Sequence, residues 1–117
     1  MRVTIAYKLG SPANAQSGSS RLAQAGRKAK ERRLGMLAVS SNREAIPVLP
    51  VVVTLARIAP RALDDDNLAF AFKAIRDGVA DGLGVRDNDP RVSWRYTQAK
   101  PARGGAPAIE IAIEARP

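Results

Sequence analysis

Residues 2–9 alternate, with Val3, Ile5, Tyr7 and Leu9 on one side and Thr4, Ala6 and Lys8 on the other. That period of two predicts a first strand, which Gly10-Ser11-Pro12 ends. From Ser19 or Ser20, either a suitable cap, to about Leu37 the spacing predicts a helix, weakened at Gly26 and Gly35. Pro47 and Pro50 lead into Val51–Ile58, apolar on both faces, as an interior strand requires. Residues 67–83 carry the strongest helical period, with Leu68, Phe72, Ile75, Val79 and Leu83 forming one stripe and Gly82 and Gly84 stopping it. Val92, Trp94 and Tyr96 then alternate with Arg91, Ser93, Arg95 and Thr97. Ile109, Ile111 and Ile113 alternate with Glu110, Ala112 and Glu114. Residues 100–107, with Gly104-Gly105, read as a long hairpin loop between these two strands. The expectation is a single α/β or α+β domain over residues 1–117, a mixed sheet of about four strands with two helices.

Composition narrows the chemistry. The chain has 117 residues, enough to bury a core, and 45% of them are hydrophobic. No run of about 18 apolar residues is present, so no spanning helix and no membrane partner is expected. The first residues read as a strand rather than a leader peptide. With no Cys and no His, thiol catalysis, zinc thiolates and the Ser-His-Asp triad are excluded. Hydrolytic chemistry would have to rest on carboxylates, lysine, metal and water. A formal net charge of +8 makes a polyanion the default partner, nucleic acid before membrane. Arg21, Arg27, Lys28, Lys30, Arg32 and Arg33 stand against Glu31 alone, a bias that favours phosphate contact.

Against that background the acids are concentrated. Asp64, Asp65 and Asp66 precede Asn67, and Asp87-Asn88-Asp89-Pro90 follows about twenty positions on. Crowded carboxylates repel unless a cation sits among them, and Mg²⁺ is the natural oxygen-bound occupant. If residues 63–66 are extended, Asp64 and Asp66 share one face, and Asp66 or Asn67 caps the helix. An antiparallel return beyond that helix would bring Asp89 back beside them. Lys73, seven positions after Asp66, falls within about 20° of it on an ideal helix and roughly 10 Å along the axis. Each feature has a plainer meaning: an Asp-rich turn is commonly a solvated cap, Asp-Asn-Asp-Pro a common turn, and Lys73 a surface lysine.

Leu63-Asp64-Asp65-Asp66-Asn67-Leu68, a helix ending Asp81-Gly82-Leu83-Gly84-Val85, and Asp87-Asn88-Asp89-Pro90-Arg91-Val92 together resemble the RusA family of Holliday junction resolvases. The similarity covers roughly residues 51–98. It implies a RusA-like fold and a Mg²⁺-dependent endodeoxyribonuclease, with Mn²⁺ a possible substitute and no organic cofactor. It also implies a homodimer that nicks four-way or other branched DNA during recombination and repair, in the cytoplasm, on nucleoid-associated DNA, encoded by a bacterium or phage. Asp64, Asp66 and Asp89 match the three metal-binding acids. The family lysine falls where this chain has Phe70, so Lys73 stands in for it as the fourth catalytic residue. Arg27, Lys28, Arg32, Arg33, Arg61, Lys73, Arg76 and Arg86 are the expected DNA contacts. The alternative is a branched-DNA-binding protein that retains the fold and does not cut.

Overall fold

The computed structural model describes residues 1–10 and 21–117. The described residues form an α+β domain with one four-stranded mixed sheet and three α-helices. The strands are β1 (Arg2–Ala6), β2 (Val51–Ile58), β3 (Val92–Ala99) and β4 (Ala108–Ala115). The helices are α1 (Arg21–Ser40), α2 (Asp65–Ala71) and α3 (Lys73–Leu83). Strand order is β1-β4-β2-β3. The pairs β1–β4 and β4–β2 are antiparallel, and β2–β3 is parallel.

β2 is interior, as its two apolar faces require. Val51, Val53 and Leu55 are fully buried, and they meet Ile109, Ile111 and Ile113 of β4 beneath Phe72, Ile75 and Val79. The alternate positions Val52, Thr54, Ala56 and Ile58 are only partly covered. The helices therefore form one layer on one face of the sheet. Among the described residues no helix is long and apolar enough to cross a membrane.

Several sequence expectations change. β3 and β4 do not form a hairpin. β2 lies between them, and residues 100–107 cross from one edge strand to the interior. An interior strand needs partners on both sides, and β2 takes the ones that local alternation would have paired with each other. The helix expected over 67–83 begins at Asp65 and breaks at Phe72, giving three helices rather than two. The stripe needs Leu68 and Phe72 on the sheet before the break and Ile75 and Val79 after it, and a bend at Phe72 serves both. The cap of α2 is Asp64, not Asp66 or Asn67. The alternation of residues 2–9 continues to buried Leu9, although pairing stops at Ala6. The capping serines proposed for α1 lie outside the described residues.

Gly35 and Gly78 sustain the closest helix contact. A Cβ on Gly78 would collide with the Arg32 carbonyl, and one on Gly35 with that of Ile75. Gly82, expected as a stop signal, is buried within α3, where a Cβ would lie 2.6 Å from that of Val39. Gly84 terminates the helix in the left-handed conformation at φ 74°.

Candidate nucleic-acid groove and acidic turns

Arg57 ties the two halves of the candidate site together. It is buried near the end of β2, donating from Nε to the Leu9 carbonyl at 3.1 Å and from a terminal nitrogen to the Arg61 carbonyl at 2.6 Å. Burial lowers its pKa. One side chain thereby holds both the chain leaving β1 and the loop that enters the acidic turn.

That turn is a helix start. Asp64 accepts from the Asn67 amide at 2.8 Å and from the Asn67 side chain at 3.1 Å. Asp65 and Asp66 occupy the first turn of α2, where the exposed amide ends favour negative charge. All three acids are exposed, and none forms an ion pair among the described residues. Gln98 of β3 fixes the turn by pairing with the Leu63 amide and carbonyl at 2.9 and 2.6 Å.

The second acidic turn lies at the other end of β3. Asp89 immediately precedes that strand, whereas Leu63 sits beside Gln98 near its finish. Six residues of extended chain put roughly 20 Å between the two places. Arg91 donates to Asp89 from its side chain at 2.8 and 3.1 Å and from its amide at 2.9 Å, holding the carboxyl at a pKa of about 2. Among the described residues no three carboxylates are grouped to hold a metal ion. The antiparallel return expected to carry Asp89 back to Asp64 and Asp66 is thus incomplete in this chain. The loop climbs only as far as Asp87.

Asp87 reaches the first turn of α3. Lys73 Nζ stands 3.5 Å from Asp77 and 4.0 Å from Asp87. The break at Phe72 invalidates the ideal wheel on which Lys73 was aligned with Asp66, and its ion pairs draw it along α3. Arg76 is turned inward, with its guanidinium 4.6 Å over the Trp94 ring. It donates to the Tyr96 hydroxyl and to the Asp87 carbonyl, both at 2.9 Å. The Trp94 indole donates to the same carbonyl at 2.9 Å. Arg76 is therefore a brace for the loop rather than an outward DNA contact. Stacking and these acceptors offset desolvation of its two terminal nitrogens, while Nε is buried without a hydrogen-bond partner, 3.7 Å from an Asp87 carboxylate oxygen.

The basic residues of α1 are divided. Arg27, Lys28 and Arg32 line a groove of about 810 Å³ between α1 and the α2–α3 pair, joined there by Lys73 and Lys8. Glu31 and Asp77 are its acids, leaving five cations against two carboxylates. Arg32 is engaged with Asp81 at 2.6 and 3.0 Å, which lowers the Asp81 pKa. Glu31, buried at the groove floor, accepts from the Tyr7 hydroxyl at 2.6 Å, and burial raises both pKa values. Arg33 is exposed on α1 outside the groove. Arg61 and Arg86 are exposed on the loops flanking α2 and α3.

Lys8 and Phe70 line the groove although the sequence marks neither as a site residue. Lys8 reads only as an alternate position of the first strand, and Phe70 only as the place of the family lysine, although an aromatic lying off the Leu68–Phe72–Ile75 stripe is a signal in its own right. Comparison with known protein families and with curated proteins finds no match.

Proposed function

We propose that the protein is a Mg²⁺-dependent, structure-selective endodeoxyribonuclease of RusA type that acts on branched DNA as a homodimer. The observation that carries this reading is the trio Asp64, Asp65 and Asp66. Three exposed carboxylates without an ion pair stand at one helix start of a chain with 19 Lys+Arg. Oxygen donors of that kind fit Mg²⁺ or Mn²⁺, which needs only one or two carboxylates when substrate phosphate supplies the rest. Such an ion supplies the charge that activates water and offsets charge on the scissile phosphate. Asp64 and Asp66 are the residues that would hold it. Asp89, occupied by Arg91 at the far end of β3, does not fit the same set within one protomer. The groove cations hold backbone phosphates, which positions DNA without reading its sequence.

Cleavage of synthetic four-way junctions with Mg²⁺, beside linear duplex of the same sequence, tests the proposal. Nicking of the junction that chelation abolishes is the expected result. The second reading, binding to branched DNA without cutting, is favoured by the Asp89–Arg91 pair. Salt-sensitive junction binding with no nicking in either metal would select it.

A further inference from the structure

Phe70 is 59% exposed, on α2, and it lines the basic groove. Leaving so large an apolar surface in water is a cost that neighbouring Ala69 or Ala71 would avoid. The groove it borders is also lined by Ala71 and Ala74, while Lys8, Lys28, Arg32 and Lys73 supply positive charge. Lys8 and Lys28 form no ion pair among the described residues, so their charge is not already neutralised within the fold. An aromatic face beside free ammonium groups is the combination that holds unpaired nucleotides. The ring stacks on a base, and the cations take the flanking phosphates. Size points the same way. About 810 Å³ lies within the roughly 300–1,000 Å³ of sites that enclose one small molecule.

We propose that this groove is a binding site for an unpaired nucleotide of single-stranded or branched DNA, with Phe70 as its stacking platform and Lys8 and Lys28 as phosphate contacts. It deepens the nucleic-acid part of the proposed function and does not depend on cutting.

The test is binding of a single-stranded oligodeoxynucleotide carrying 2-aminopurine, beside a blunt duplex of equal length. Phe70→Ala should weaken single-strand binding on the order of tenfold and abolish the quenching of the fluorescent base, with duplex affinity unchanged. Phe70→Tyr should restore both, and Phe70→Leu neither. Equal loss on the two probes, full rescue by leucine, or no loss at all overturns the stacking site. A smaller assembly for Phe70→Ala by size-exclusion chromatography also overturns it, assigning the ring to contact between copies. If the parent protein binds neither probe, the stacking site falls, and binding to a four-way junction decides the nucleic-acid reading by itself. If junction cleavage is absent while the Phe70 effect stands, only the nuclease reading falls.

Discussion

Arg91 holds Asp89 from two directions, with its guanidinium at 2.8 Å and its own amide at 2.9 Å. The pair closes the turn ahead of β3 and lowers the Asp89 pKa from 3.8 to about 2. A carboxyl depressed on folding adds stability that is complete above its unfolded pKa and disappears as acid takes the pH through the folded value. Asp89→Asn should therefore melt at a lower temperature than the parent at pH 7. The difference should shrink between pH 4 and pH 2, as followed by thermal circular dichroism. A gap that stays constant over that range would mean that the ion pair is not its source.

Asp64 is a helix cap and, in the proposed function, a metal ligand as well, two roles that substitution can separate. As cap it needs only an acceptor for the Asn67 amide, which asparagine retains. As metal ligand it needs its charge. Asp64→Asn should keep nearly the parental unfolding midpoint in urea while junction cleavage falls by orders of magnitude. Asp64→Ala should lose cleavage and, in addition, about 1 kcal/mol of stability. Undiminished cleavage by Asp64→Asn would remove the metal role.

Glycine substitutions in the helices should differ in sign. Alanine is the better helix former by roughly 1 kcal/mol. Gly26 has open space around a prospective Cβ, so Gly26→Ala should stabilise. Gly78 faces the Arg32 backbone, which cannot swing aside, and Gly78→Ala should destabilise by about 1–3 kcal/mol despite the better propensity. Urea unfolding of both variants measures this. A stabilised Gly78→Ala would show that α1 and α3 separate more readily than their contact implies.

Lys28 and Arg33 differ in place rather than charge. Lys28 lines the groove and Arg33 does not. Lys28→Gln should flatten the dependence of log affinity on log salt by about one unit for junction DNA, with Arg33→Gln changing it less. Equal slopes for the two variants would make the basic helix a diffuse attraction with no preferred face.

The pattern of the chain was sufficient for the four strands, the long first helix and the interior character of β2, because burial of one or both faces writes its period directly into consecutive side chains. It also carried the concentration of carboxylates at residues 64–66 and 87–89 and the basic bias of α1, since both are local facts of composition. Partner choice was different. Whether β4 pairs with β3 or inserts between β1 and β2 leaves its Ile109–Ile111–Ile113 alternation unchanged, so only the assembled sheet decided it. The break at Phe72 and the inward turn of Arg76 onto Trp94 arise from contacts between residues of separate elements or from the bend that packing imposes, whereas the capture of Asp89 by Arg91 is a contact two residues apart within one turn, between side-chain directions that spacing alone does not set. They determine which charges stay exposed and which acids stand apart. A one-dimensional spacing rule places side chains on the face of an ideal element, but the direction of a long charged side chain is set by the neighbour that desolvates or pairs with it, and that neighbour is chosen by the tertiary fold.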